Sequence, residues 1–202
     1  FYSKLYLIPF QKLIINFCIN KSDGAIYVSE DLKKLRLLKN KNFIVVPCTS
    51  STNLFYFDEL LRKKTRKELD FKFDEKVFIY VGSMVPYQSF ELFDEIFTKI
   101  NQSEHLKILV ITNDINKAFQ NFKKVKKNKL IIKSSSFYEM NKFYNAADLA
   151  ILFRSARKLN NVASPTKFGE YCLTGLPVLM NDNVVQSLNF SKSIGNYRNL
   201  LS

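Results

Sequence analysis

Glycine and proline are scarce, at 5 residues each in 202. That excludes collagen-like and low-complexity chains. Histidine occurs once, as His105, so a multi-histidine metal site is excluded, and its place before the strand-like LKILVIT makes it a loop residue rather than a catalyst. The cysteines, Cys18, Cys48 and Cys172, are odd in number and far apart, with no CxxC or Cys/His metal spacing. This points to a reducing, cytoplasmic setting and excludes a disulfide scaffold. No uncharged run approaches the ~20 residues that a membrane-spanning helix needs. Acids are few: 18 Asp and Glu stand against 31 Lys and Arg, a net charge of +13.

What is present has globular proportions, 47% hydrophobic and 24% charged, which excludes disorder of the whole chain. A basic surface attracts phosphates, nucleic acid or an anionic membrane face. Arginine, the better fork for phosphate and base edges, occurs only at positions 36, 62, 66, 154, 157 and 198. A run of Lys117, Lys123, Lys124, Lys126, Lys127, Lys129 and Lys133 has no acid within it. It fits a solvated face first, an anionic membrane face second, and nucleic acid least, because no helix-turn-helix, RNP-like or OB pattern accompanies it.

The amino-terminal stretch FYSKLYLIPFQKLIINFCIN is apolar but broken by Lys4, Pro9, Gln11, Lys12 and Asn16. It lacks a small-residue cleavage site, so it does not fit a signal peptide. With Phe1 in first place, the expectation is a piece of a longer protein.

Short apolar runs alternate with amphipathic stretches. AIYVS (25–29) and FIVVP (43–47) fit strands, with Ser29 as N-cap of the helix between them. From position 76 the alternation is regular, with strands at 76–81, 107–112, 130–132, 149–153 and 177–180. Helices are expected at 57–69, 89–100, 114–125, 137–147 and 165–174. Apolar strands separated by helices signal a parallel sheet covered on both faces. The fold class is therefore α/β, a Rossmann-like doubly wound sheet, in which ligands bind at the carboxyl ends of the strands.

Five places directly follow strands: Gly82 and Ser83, residues 112–114, residues 133–136, Arg154 with its following loop, and residues 181–183. Gly82 and Ser83 follow the strand KVFIYV, and glycine lets a backbone approach a ligand, although a plain turn is equally compatible. Arg154 follows LAILF. Ser164 and Pro165 then open a helix, Ser164 as N-cap and Pro165 in the first turn. Such a start offers free N–H groups and positive dipole character to an anion. Lys167 in that first turn opposes the dipole unless an anion is bound. Glu170 lies one turn beyond Thr166, where a carboxylate can hold a vicinal diol or pair with Lys167. Gly169, in mid-helix, suggests close packing or close ligand approach, and Gly175, two residues before Pro177, suits a C-cap.

The segment SPTKFGEYCLTGLPVL, preceded by AADLAILFR, resembles the nucleotide-sugar-binding domain of GT-B glycosyltransferases, nearest to the retaining enzymes of family four (group one). VFIYVGS resembles the first strand and glycine turn of that domain, and IIKSSSFYEMNKFYNAADLAILF its base-binding strand, helix and next strand. DGAIYVSEDLKK and FIVVPCTSSTNLFYFD resemble the end of the first domain and the crossing into the second. The resemblance implies that 1–41 are a remnant of an acceptor domain with its crossover. Residues 42–202 would be the nucleotide-sugar-binding domain, cut short at its carboxyl end.

The resemblance further implies transfer of a sugar, with retention, from a nucleotide sugar to a saccharide or lipid-linked acceptor in polysaccharide or glycoconjugate synthesis. It implies no cofactor, and the chain has no DxD pair to hold a metal. Glu170 occupies the position of the family's second motif glutamate, on the donor ribose. Gly82, Ser83, Ser164, Pro165, Thr166 and Lys167 fall at the donor diphosphate, and Lys133 and Ser134 at the base. The chain also departs from the family. Val162 stands where the first glutamate is expected, and Ser83 and Gln88 where the glycine turn is commonly followed by Arg and Lys. Arg154 and Lys167, at the same rim, are expected to supply the missing charge. A non-catalytic nucleotide-binding module is the alternative.

Overall fold

A computed structural model describes residues 7–35, 42–157, 160 and 162–193. Its centre is a parallel sheet of β3 (Lys76–Val81), β4 (Leu106–Ile111), β5 (Leu130–Lys133), β6 (Leu149–Leu152) and β7 (Val178–Met180), in the order β5-β4-β3-β6-β7. Along each central strand alternate side chains go to opposite faces, as the pleat requires. Val77, Ile79 and Val81 enter one core with Leu109, Ile111, Ala150 and Leu152. Tyr80, Ile108, Val110, Ile151 and Phe153 enter the other. The first core is covered by α6 (Met140–Ala146) and α7 (Thr166–Leu173), with α3 (Glu59–Glu68) packed on α6, and the second by α4 (Asp94–Gln102) and α5 (Ile115–Asn121). The doubly wound α/β fold is thus present, with the strand order reversing between β3 and β6.

Ahead of this sheet lie α1 (Leu7–Lys21), β1 (Gly24–Tyr27), α2 (Glu30–Leu35) and β2 (Asn42–Val45). The strand expected at 43–47 does not open the main sheet. It pairs in parallel with β1, Ile44 opposite Ile26, in a sheet of its own. Four-residue apolar strands carry no signal of which sheet they join. Helix α1 escaped sequence reading because Pro9 and the scattered polar residues mask its pattern; Pro9 sits within its first turn, where the missing N–H is harmless. The stretch expected as one helix from 89 begins instead with a 3₁₀ turn, Phe90–Phe93, and 137–139 do the same before α6. The last described element is α8 (Val185–Ser193); positions 194–202, like 36–41, lie outside the described residues.

Glycine is required at one helix end. Gly175 has φ 68, Leu176 N donates to Tyr171 O (2.9 Å) and Gly175 N to Cys172 O (3.1 Å). This is the paired-bond C-terminal stop for which an unbranched left-handed residue is needed, with buried Leu176 completing it. Ser89 is in the same backbone region without being glycine, at φ 54 and ψ 56. It is buried, and among the described residues its Oγ has no partner. Both features are unfavourable, by ~1–2 kcal/mol for the backbone and at least ~1 kcal/mol for the hydroxyl. Glycine's greater freedom in the unfolded chain offsets part of this. Ser89→Gly is expected to stabilise by ~1 kcal/mol and raise Tm by ~2–4 °C, with Ser89→Ala gaining less. Thermal unfolding checks this, and a lower Tm for the glycine variant would contradict it.

Candidate functional site

The carboxyl ends of β3 and β6 are neighbours at the point where the strand order reverses, the place where such sheets bind ligands. Gly82 and Ser83 leave β3 there, and Arg154 lies just past β6. Helix α7 brings its first turn to the same rim. A cleft of about 250 Å³ lies between them, lined by Gly82, Ser83, Arg154, Pro165, Thr166 and Lys167. Tyr87 and Gln88 complete the lining. Among the described residues no carboxylate lines the cleft, and the charges that line it are Arg154 and Lys167.

Each wall is fixed from behind. Tyr80, buried in the second core, donates its Oη to Ser83 O (2.9 Å), and Asp114 Oδ2 accepts from Met84 N (3.0 Å), so the turn after β3 is held at both ends. Burial pushes the Tyr80 phenol well above its ordinary pKa, so it stays a donor. A Cβ on Gly82 would come within 3.0 Å of Tyr80 Oη. The glycine therefore makes room for Tyr80 against the turn. Asn181, after β7, grips the Arg154 backbone twice: Oδ1 accepts from Arg154 N (3.0 Å) and Nδ2 donates to Arg154 O (2.7 Å).

The Arg154 side chain donates Nη1 to Gln88 Oε1 and to Phe153 O (2.8 Å), and its guanidinium carbon lies 5.9 Å from the Tyr87 ring centroid. These partners are neutral. Among the described residues neither Arg154 nor Lys167 has an ion pair, whereas Arg62 and Arg66 both reach Asp148. Burial lowers the Arg154 pKa from its ordinary value, the mark of a cation taken from water without an opposing charge. Lys167 does not pair with Glu170, so its adverse place in the first turn of α7 is uncompensated.

Ser164 corrects one expectation. The N-cap position is Pro165, and no side chain caps α7. Ser164 Oγ instead accepts from Cys48 N (2.9 Å), and Ser50 Oγ donates to Thr166 O (3.1 Å). The crossing segment after β2 has captured the serine, and among the described residues the N–H groups of Thr166 and Lys167 are left without a partner beside the cleft. Gly169 serves close packing here: a Cβ on it would meet Ser50 Oγ at 2.9 Å.

Glu170 does not line the cleft. It is buried, and its Oε2 accepts from Tyr144 Oη, a bond between α6 and α7. Tyr171, fully buried at 5.1 Å edge-to-face from Tyr144, has an unpartnered hydroxyl. Burial raises both phenols far above their ordinary pKa. Lys133 and Ser134 lie at the exposed end of β5, two strands from β3, outside the cleft lining. Tyr87, Gln88, Tyr80 and Asn181 were not singled out from sequence as site residues. Only the strand-end position of Asn181 hinted at a role.

The lysine run is partly committed to structure. Lys124 Nζ meets Asp94 Oδ2 (2.6 Å), Lys126 Nζ donates to Asn101 O (3.2 Å), and Lys129 Nζ donates to Ser103 O (2.5 Å). His105 Nδ1 lies 2.8 Å from Asp74 Oδ2 on the surface. Among the described residues no His, Cys, Asp and Glu group is arranged to hold a metal ion. Among them, too, no helix is long and apolar enough to cross a membrane.

No protein-family model matches the sequence, and no curated protein is matched by it. The fold does have matches among solved structures. HepE of Anabaena, solved with UDP and glucose, superposes with a TM-score of 0.62 at 12% identity, over 84% of this chain and 47% of that one. WaaG, a glycosyltransferase involved in lipopolysaccharide biosynthesis, gives 0.62 at 15% identity, over 83% and 47%. Sucrose-phosphate synthase of Thermosynechococcus elongatus gives 0.58 at 15%, over 83% and 43%. The chain spans less than half the length of each. Its fold is that of one Rossmann-like half of a GT-B glycosyltransferase.

Proposed function

We propose that this chain is the donor-binding half of a glycosyltransferase, which holds a nucleoside diphosphate sugar by its diphosphate in the cleft at the β3–β6 switch point. The observation that carries this is the cleft's charge: two cations without acid partners, one of them partly desolvated, beside uncapped helix N–H groups. A diphosphate supplies the absent negative charge and accepts from Arg154, Lys167, the N-terminus of α7 and the Gly82–Ser83 turn. During transfer the leaving diphosphate gains charge, and donors already aimed at it stabilise that state. HepE, with the same fold, is seen with UDP, UDP and glucose, and UDP-glucose, which supports a nucleotide sugar as ligand.

Glu170 is assigned to the donor ribose through its Oε1, which has no partner among the described residues, with Tyr144 holding the other oxygen. Lys133 and Ser134 are assigned to the base. The acceptor is a saccharide or lipid-linked saccharide, the transfer proceeds with retention, and the protein works in the cytoplasm at or near the inner membrane face, in polysaccharide or glycoconjugate synthesis.

A second reading, a nucleotide-binding module without transferase activity, is favoured by Val162. It is buried apolar where the family's first glutamate is expected, and its carbonyl accepts from Ser29 Oγ (2.7 Å). Thermal unfolding with UDP, GDP and their sugar derivatives tests both readings. One nucleotide at 100 times its Kd adds ~2.7 kcal/mol and raises Tm by several degrees. Glu170→Gln, which keeps the size of the side chain, is expected to lose most of that rise. Absence of a shift with every nucleotide would refute the binding site. Binding without sugar release or transfer by a complete two-domain protein would favour the second reading.

A further inference from the structure

Arginine has five N–H donors in a rigid plane, and its best face for a phosphate is the edge that presents two of them in parallel. In Arg154, Nη1 is occupied twice, by Gln88 Oε1 and by Phe153 O. The Nε and Nη2 donors have no partner among the described residues. The backbone of the same residue is clamped by Asn181 and receives Asn183 Nδ2 on its carbonyl (3.1 Å). The guanidinium is therefore held at its root and at one tip, with the parallel edge left free.

Gln88 is well placed to act as that tip's anchor. It is 5% exposed although polar. It ends the 3₁₀ turn Pro86–Gln88, and its own N–H is tied to Val85 O (3.1 Å). Its amide lies against the glycine turn, where a Cβ on Gly82 would come within 3.4 Å of Gln88 Nε2. The amide also leaves the positive charge of Arg154 intact. A carboxylate in that place would form an ion pair and cancel the charge that an anionic ligand needs.

We infer that Gln88 is a positioning residue: by occupying Nη1 it turns the free edge of Arg154 into the cleft to take the diphosphate of a nucleotide ligand. The guanidinium from the end of β6 thus replaces the positive charge that Ser83 and Gln88 do not themselves supply in the turn after β3. The inference rests on the diphosphate-site reading given above.

The test uses the full chain and inorganic pyrophosphate, which removes the unknown base from the question. Calorimetric titration at low salt compares the parent with Gln88→Met, Gln88→Glu, Arg154→Met and the double variant Gln88→Met/Arg154→Met, each also followed by thermal unfolding. Arg154→Met is expected to weaken pyrophosphate binding ~10-fold or more. Gln88→Met should weaken it by a similar factor, and the double variant should be no weaker than Arg154→Met alone, because one residue acts through the other. Gln88→Glu should bind at least as poorly as Gln88→Met while unfolding no earlier than the parent. A merely structural role for Gln88 would instead lower the unfolding temperature of both Gln88 variants and add to the Arg154→Met loss. Parent-like binding by Gln88→Met or Gln88→Glu, or independent losses in the double variant, overturns the positioning role and leaves the site standing. If the parent does not bind pyrophosphate, or Arg154→Met binds it as well as the parent, the site reading itself falls and the inference with it.

Discussion

Replacing Arg154 and Lys167 together by methionine is expected to abolish nucleoside diphosphate binding without destabilising the protein. Each cation offers charge-assisted hydrogen bonds worth ~1.5–3 kcal/mol, so each single variant should lose ~10–100-fold in affinity. The pair should fall beyond measurement, and the salt dependence of binding should vanish with it. The stability side of the prediction is the more discriminating. An ordinary buried arginine is tied to a carboxylate, and its loss strands a charge. Arg154 meets only neutral oxygens, and burial already works against its charged form. Its removal relieves a desolvation cost rather than breaking an ion pair. The neutral Gln88 and Phe153 oxygens left behind offset part of that relief, so urea unfolding of Arg154→Met should give a stability within ~1 kcal/mol of the parent. Lys167→Met should do the same, because a cation in the first turn of α7 opposes the helix dipole. Residues whose loss abolishes binding but not stability are set for a ligand rather than for the fold. A clear loss of stability in both variants would mean that these cations have protein partners.

Arg66 makes the opposite case. Arg66→Met is expected to cost ~3–5 kcal/mol, the range for breaking a buried, hydrogen-bonded charge, and to lower Tm by ~10 °C in a chain of this size. Arg66 is buried on α3, and both of its Nη groups are in use twice over. Nη1 reaches Ala146 O (2.9 Å) and Asp148 Oδ2 (3.2 Å), and Nη2 reaches Lys72 O (2.8 Å) and Glu75 O (2.7 Å). One turn earlier Arg62 donates to Asn145 O and Ala147 O, both at 2.7 Å, and to Asp148 Oδ1 (2.9 Å). The two arginines thus satisfy the last carbonyls of α6, which a helix end leaves without partners. They also fix Asp148, whose Oδ2 accepts from Val77 N (2.8 Å) beside β3. Without Arg66 those carbonyls stay buried and unpaired, while Asp148 keeps Arg62 and Val77. Arg66→Lys should recover little, since an ammonium cannot span acceptors on both sides of a planar fork. A loss below ~1 kcal/mol in urea unfolding would show that water replaces the arginine freely.

These two results mark what the sequence discloses and what it hides. The sheet was legible because Val77 to Val81, Ile108 to Ile111 and Ala150 to Leu152 are apolar on both faces, a pattern that only a covered parallel sheet explains. The rim of the site was legible for the same reason, because strand ends follow from strand positions. Gly82 and Arg154 were named by that logic, Lys167 by its place in the first turn of a helix, and all three line one cleft. Partners distant in sequence were not legible. Nothing in the run from position 57 to 69 separates Arg62 and Arg66 from its solvated charges. Gln88 and Arg154 meet across 66 positions. Ser164 has the sequence of an N-cap, but the backbone of Cys48 competes for its hydroxyl and wins. The pairing of β2 with β1 depends on which edge a short strand reaches, and composition carries no record of that.

The proposed diphosphate site lies between Gly82, Arg154 and the start of α7. A larger polar cavity of about 370 Å³ at the opposite end of the sheet, lined by Lys72, Lys107, Lys126 and Lys129 among others, is the natural competitor for an anion. Amide chemical-shift mapping of the full chain, with UDP and with GDP added separately, decides between them. The account predicts that one of the two perturbs the amides of Gly82, Ser83, Thr166 and Lys167 in a saturable way, with no change at Lys72 or Lys129. Saturable shifts confined to Lys72, Lys107, Lys126 and Lys129, or none with either nucleotide, would contradict it.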